Sequence, residues 1–163
     1  MSRARRLTLG IVAFALVATL LGVQMGLLSG TRPTDLGVTD GRLRGVENKP
    51  RNSVSSQTDR RANFIAPLSA GPDPAAGFEA LLALVGASAG ASIVTRRPGY
   101  AHAEFETRLL KFVDDVEFLL DADQGVIHVR SASRLGRKDF GVNRQRIEDL
   151  RDRLAAAIAN PGQ

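Results

Sequence analysis

Cysteine is absent from all 163 residues, tryptophan is absent too, and there is one tyrosine. Without cysteine there is no disulfide scaffold, no thiol catalysis, no Cys-ligated zinc and no iron–sulfur centre. With only two histidines, His102 and His128, a zinc site of the usual composition is not expected, and neither a metal nor a cofactor is read from the chain. No G-x-G-x-x-G or P-loop cradles a phosphate. Ser55, Ser56, Ser131 and Ser133 lie in no G-x-S-x-G elbow. A core must therefore be built from Leu, Val, Ile, Ala and the seven phenylalanines.

Acid is also missing from residues 1 to 32, which carry Arg3, Arg5, Arg6 and Arg32. That leaves 18 of the 22 basic residues against all 17 acids, so the rest of the chain is nearly neutral despite the net charge of +5. Nucleic-acid binding needs a basic face and, for single strands, interleaved aromatics. Neither is present, and no nucleic acid is expected as a partner.

What is present begins with an uncharged run from Leu7 to Leu28, LTLGIVAFALVATLLGVQMGLL. As a helix it would extend roughly 33 Å, close to the hydrocarbon thickness of a bilayer. The arginines before it hold the N-terminus inside. The expectation is an anchor over residues 1–30 in the inner (cytoplasmic) membrane, with lipid as partner through residues 7–28 and the remainder on the periplasmic side. A cleaved signal peptide is the rival, although no clean small-x-small site follows the run.

Residues 31–58 hold Pro33, Gly37, Gly41, Gly45 and Pro50 without periodicity, and read as a linker and extended lead. Asn52 to Asp59 is dense in hydroxyl and amide side chains, which suits turns and caps or a polar loop facing a ligand. The soluble domain is expected over 59–163. Asn63 to Ser69, with Pro67 inside, is at most an edge strand. Asp73 and Pro74 start a helix that runs to Gly86, with Phe78, Leu81, Leu82 and Val85 on one face.

Ala91 to Arg97 and Tyr100 to Arg108 are strands about a Pro98-Gly99 turn. In the second, His102, Glu104 and Glu106 alternate with Ala101, Ala103 and Phe105, implying one wet and one buried face. Phe112 to Leu120 and Val126 to Ser133 form a hairpin. The expected register sets Phe118 opposite Ile127 and Val116 opposite Val129, with Glu117–His128 and Asp115–Arg130 as ion pairs on the other face. Slipping by one residue would bury charge. Asn143 is expected to cap a last helix with Ile147, Leu150, Leu154 and Ile158 inward, stopped by Pro161 and Gly162. The fold class is α+β: a two-layer sandwich, an antiparallel sheet of four to five strands with two helices on one face, preceded by one transmembrane helix.

Three stretches, N-S-V-S-S-Q at 52 to 57, F-V-D-D-V-E-F at 112 to 118 and V-R-S-A-S-R-L-G-R-K-D-F-G-V-N-R-Q-R-I-E at 129 to 148, resemble domain-of-unknown-function family 1499, an uncharacterised bacterial and plastid family. The resemblance implies importance for Ser55, Ser56, Gln57, Asp114, Asp115, Glu117, Arg130, Ser131, Ser133, Arg134, Leu135, Gly136, Asp139, Asn143 and Arg144. It implies no activity. Family members often carry cysteines in the lead. Here Lys49 and Pro50 precede it and Ser53 stands at the second position, so a redox or metal role does not carry over.

Two candidate sites follow. Asp115, Glu117, His128 and Arg130 share a polar sheet face with Glu104 or Glu106 near, and paired carboxylates beside a histidine could do acid–base work or hold a divalent metal through oxygen ligands. Asp114 and, in the lead, Ser55, Ser56 and Gln57 are polar candidates with them; otherwise they are a solvated face of weak ion pairs. Arg130, Ser131, Ser133, Arg134, Asn143 and Arg144 could bind an anion at a helix start; otherwise they pair with Asp114, Asp115 or Asp139. The leading expectation is a membrane-anchored cell-envelope domain that binds a partner protein or a small anionic ligand. The alternatives are a hydrolase-type enzyme using the acidic sheet-face residues and a structural subunit of a membrane complex.

Overall fold

A computed structural model describes residues 2–46 and 52–160. The expected helix stop at Pro161 and Gly162, and the lead's Lys49 and Pro50, lie outside the described residues. Helix α1 (Arg3–Gln24) is long and apolar enough to cross a membrane by length and composition. Its flank is exposed, with Phe14, Leu7 and Ile11 all open.

Next come two short strands paired as a ribbon, β1 (Val38–Thr39) and β2 (Arg42–Leu43). The main body contains β3 (Ser53–Ser55), β4 (Leu68–Ser69), α2 (Pro74–Gly86), β5 (Ala91–Arg97), β6 (Tyr100–Glu106), β7 (Val113–Asp121), β8 (Val126–Ser133) and α3 (Val142–Ala159). The six-stranded antiparallel sheet has the order β3-β8-β7-β6-β5, and β4 pairs with the lower half of β8 beyond β3. Helices pack on one face of a multi-stranded antiparallel sheet, as the alternating strands and two amphipathic helices imply.

The expected four to five strands become six because the serine-rich lead supplies β3. Its residues pair with Arg130, Ser131 and Ala132 of β8. A strand of Ser-Val-Ser has no apolar alternation to announce it. It is held by ladder bonds and by Asn63, whose side-chain amide donates to the Ser53 carbonyl at 2.8 Å.

Helix α2 begins as expected. Asp73 accepts from the Ala76 amide at 3.0 Å, and Pro74 opens the first turn. Gly77 is needed for packing: a Cβ there would lie 1.9 Å from the Ala70 carbonyl oxygen. Phe78, Leu81, Leu82 and Val85 of α2 join Ile147, Leu150 and Leu154 of α3 over Ala101, Ala103, Val116, Phe118, Ile127 and Val129 of the sheet.

The β7–β8 hairpin corrects the expected register. Phe118 pairs with Val129, Leu120 with Ile127 and Val116 with Ser131. The polar partners move accordingly: Glu117 faces Arg130, Asp115 faces Ala132, and His128 faces Leu119. Asp121 pairs with Val126, which leaves the four-residue loop 122–125, where Gly125 has φ 65. The shift is two residues. Side chains alternate with a period of two, so it leaves every residue on its expected face. The apolar pattern excluded the one-residue slip but had no power over the two-residue one.

The second correction concerns the other face. It was expected to be wet, yet His102, Asp115, Glu117 and Arg130 are each at most 3 % exposed. The segment expected as a loose tether lies over it. The Gly37 amide donates to Glu117, Arg32 reaches Glu104, and Leu43 and Val46 are buried outside the main core.

Candidate functional site

Strands β6, β7 and β8 each send alternate side chains to the covered face. Cross-strand pairing sets His102 opposite Glu117, Glu104 opposite Asp115, and Glu117 opposite Arg130. Glu117 Oε1 accepts from the Gly37 amide at 2.7 Å and from the Tyr100 hydroxyl at 2.9 Å, while Oε2 accepts from Arg130 Nη1 at 2.8 Å. Burial and the Glu117 charge beside it push the Tyr100 phenol well above its ordinary value.

Asp115 is gripped at both oxygens by Arg134, Nε to Oδ2 at 2.9 Å and Nη2 to Oδ1 at 2.8 Å. His102 Nε2 donates to the same Oδ1 at 2.9 Å. Glu104 accepts from Arg134 and, at 2.5 Å, from Arg32 Nε. His102, Glu104 and Asp115 present donor atoms within 4.8 Å of one another, a grouping that could hold a cation. Arg134, however, occupies both carboxylates. Burial pushes Asp115 and Glu104 up, but hydrogen bonds and charge outweigh it: Arg134 and His102 hold Asp115 below the usual carboxylate range, and Arg32 and Arg134 do the same for Glu104.

These two depressed carboxylates set an acid limit. They stabilise the fold above their unfolded values of about 4, and that contribution fades as pH falls through the lower folded values. Arg134→Met removes the group that depresses both. Its acid-unfolding transition, followed by circular dichroism, should lie at higher pH than that of the unaltered chain. Equal midpoints would mean the pairs carry no linkage.

The candidate anion residues do not converge. Arg130 and Arg134 project to the covered face, whereas Ser131, Ser133 and Asn143 meet on the helix-facing side. Arg144 points elsewhere and donates to the Phe64 carbonyl at 2.7 Å. Asn143 is not the helix cap: α3 begins at Val142 after Gly141, whose φ is 85, and Asn143 is fully buried in the first turn. Its amide donates to the Asn52 carbonyl, Ser133 Oγ and Asp139 Oδ2, and its oxygen accepts from Ser131 and Arg146. The capping role falls to Asp139, whose carboxylate accepts from the Gly141 and Asn143 amides at 3.1 Å each. Two of the N–H groups expected to meet an anion, those of Gly141 and Asn143, therefore already have one in Asp139. Asp114 also faces the helices, where Arg146 Nη2 donates to it at 2.6 Å while stacking on Phe105 with 4.7 Å to the ring centroid.

Ser55 is fully buried opposite Arg130, and Gln57 Oε1 accepts from the Leu43 amide at 2.8 Å, tying the lead to the covering segment. Ser56 sits beside His128, its Oγ 3.2 Å from Nδ1. The model of the family described as "Protein of unknown function (DUF1499)" matches residues 42–154, spanning all three motif stretches. The chain belongs to this family. No curated protein and no solved structure matches it. In this family member about half of the motif residues are buried polar ones, Ser55, Asp114, Asp115, Glu117, Arg130, Ser131 and Asn143, and they fall in two hydrogen-bonded networks, one on each side of the sheet.

Sequence reasoning passed over Tyr100, Arg32, Gly37 and Arg146, and treated His102 only as a poor zinc ligand. The signal for Tyr100 was available, since it is in phase with His102 and Glu104. It also passed over Gly86-Ala87-Ser88-Ala89-Gly90, which formally fits G-x-S-x-G. That stretch runs from helix to strand, the reverse of a nucleophile elbow. Ser88 Oγ donates to the Leu84 carbonyl at 2.8 Å and accepts from Arg153, as an architectural serine does.

Proposed function

We propose that this protein is a membrane-tethered domain with hydrolase-type chemistry on its acidic sheet face, in which His102 and Asp115 form the acid–base pair and Glu104 is the neighbouring carboxylate. The observation that carries this reading is the buried His102–Asp115 hydrogen bond of 2.9 Å with Glu104 in the same cluster. A carboxylate that accepts from a histidine fixes which ring nitrogen holds the proton and leaves the other as the base. Arg134 keeps Asp115 ionised for that role. The same donors would hold a cation only with Arg134 displaced, so acid–base work is the reading that fits the pairing.

Helix α1, which ends at Gln24, supplies most of the tether of residues 7–28, with residues 1–30 as anchor in the inner membrane. The arginines before it favour the periplasmic side for the rest. Residues 59–163 then form the soluble unit, and within the lead of 31–58, residues 31–46 supply the cover and 52–58 the edge strand that complete it.

The test is turnover. The detergent-solubilised full chain should hydrolyse at least one member of a panel of chromogenic carboxylic, phosphoric and glycosidic esters. His102→Asn and Asp115→Asn should each lower kcat by about 100-fold or more while circular dichroism stays unchanged. Turnover that ignores both substitutions, or none in any class, overturns the reading. A reporter active only outside the cytoplasm, fused after Gln163, checks the side.

A further inference from the structure

At the opposite end of the same sheet face the cover stops. An open cavity of about 560 Å³ remains between the β7–β8 loop, the lead and the β1–β2 ribbon. Its lining includes Arg42, Ser56, Gln57, Asp121, Gln124 and His128. Ser56 is pinned against β8: its amide donates to the Val129 carbonyl at 2.9 Å, and its Oγ accepts from the Val129 amide, also at 2.9 Å. The hydroxyl proton has two acceptors in reach, His128 Nδ1 at 3.2 Å and the Val129 carbonyl at 3.4 Å. The imidazole is the nearer.

With Nδ1 accepting, Nε2 carries the ring proton, and it faces Asp121 Oδ2 at 3.9 Å. Asp121 is itself held by Gln124, through its amide at 3.0 Å and its side chain at 2.6 Å. The arrangement is hydroxyl, imidazole, carboxylate, opening on a cavity. The ring is turned relative to the usual serine hydrolase, where Nε2 meets the hydroxyl.

We propose that Ser56 is a nucleophile and His128 its general base, in a second centre that takes carboxylic esters or similarly activated acyl groups. Ser56 Oγ attacks the acyl carbon as its proton passes to His128 Nδ1. The carbon–oxygen bond to the leaving alcohol breaks, the alcohol takes that proton back from His128, and water releases the acyl group from Oγ by the same path. Asp121 stabilises the imidazolium that forms between the two transfers. The amide of Val129, donating to Oγ, stabilises negative charge developing on it. Arg42 lines the cavity, and its guanidinium, which donates from Nη2 to the Gln57 carbonyl at 3.2 Å, has further N–H groups for the carbonyl oxygen as it becomes anionic. Burial, with Arg42 adding to it against the opposing charge of Asp121, holds His128 below its ordinary value, so the ring is neutral near pH 7 and can accept a proton.

This centre extends the hydrolase reading but stands on residues independent of His102 and Asp115. The experiment is labelling of the full chain in detergent with a fluorophosphonate. Oγ forms a bond to phosphorus, fluoride leaves, and His128 takes the proton. A stable adduct on the peptide bearing Ser56, identified by tandem mass spectrometry and absent from heat-unfolded protein and from Ser56→Ala, is the expected result. Because Ser56→Ala also removes an acceptor of the Val129 amide, His128→Gln provides the second arm. It should label about 100-fold more slowly or worse with an unchanged dichroism spectrum. No adduct at Ser56, or equal rates in His128→Gln, overturns the proposal. The His102→Asn chain separates the two centres. Labelling and carboxylic-ester turnover that both persist there keep this centre and remove the other, His102-dependent turnover without labelling does the reverse, and labelling with no carboxylic-ester turnover in any chain overturns both.

Discussion

Arg130→Met should cost about 3–5 kcal/mol of folding stability, because it strands the Glu117 carboxylate in a dry site with its charge uncompensated. Glu117 is fully buried and Arg130 is 1 % exposed, so water cannot replace the lost partner. The Gly37 amide and Tyr100 hydroxyl would remain on Oε1, but neither carries charge. Glu117→Leu should be comparably harmful in the other sense, leaving a guanidinium whose Nε already lacks a hydrogen-bond partner. The double variant, Arg130→Met with Glu117→Leu, removes both charges together. It should cost far less than the two single changes summed, and a double-mutant cycle by chemical denaturation of the full chain in detergent reads the coupling. A single-variant cost below about 1 kcal/mol, the range of exposed pairs, would mean that the segment over residues 31–46 does not cover the sheet in solution.

The same pair shows what was legible in the chain and what was not. Strand alternation placed Asp115, Glu117, His128 and Arg130 on one face, and that face is where they lie. Alternation says nothing of what rests on the polar side. The cover is built from a segment with few apolar residues, chiefly Leu43 and Val46, and its glycines look like a tether. Burial of the polar face is therefore a tertiary fact that no local pattern carries. The register failed for a related reason, since the β7–β8 pattern repeats every two residues and the loop alone decides between the alternatives. Helix α2 was legible to its cap because Asp73 and Pro74 act within one turn. Asn143 misled because a good capping residue in sequence proved more useful as a buried hub, with Asp139 four residues earlier doing the capping. On the candidate sites, Ser56 and His128 were both singled out, yet nothing local related them across 72 positions until β3 docked on β8.

On the helix-facing side of the same strand, Phe118→Ala should cost about 3–5 kcal/mol, the transfer loss of an aromatic side chain plus the cavity it leaves. Phe118 is fully buried, pairs with Val129 and Ala101 across its two neighbours, and lies in the cluster with residues of both helices. Because the site lies between two strands under α2, in a core cluster that α3 also enters, it cannot collapse cheaply, which places the cost toward the upper part of the range. The defect is a void and not an unpaired charge, so it should respond differently from the Glu117 and Arg130 changes. Phe118→Leu should recover much of the loss by refilling volume, whereas no apolar residue at position 130 rescues Glu117 alone. The loss in Phe118→Ala should also persist at high salt, since apolar packing is not screened. Denaturant midpoints for Phe118→Ala, Phe118→Leu and Arg130→Met, measured at low and high ionic strength, distinguish the two faces. If Phe118→Ala costs under about 1 kcal/mol while Arg130→Met costs several, the assignment of the apolar side of β7 to the helices is wrong, and with it the two-layer packing of the fold.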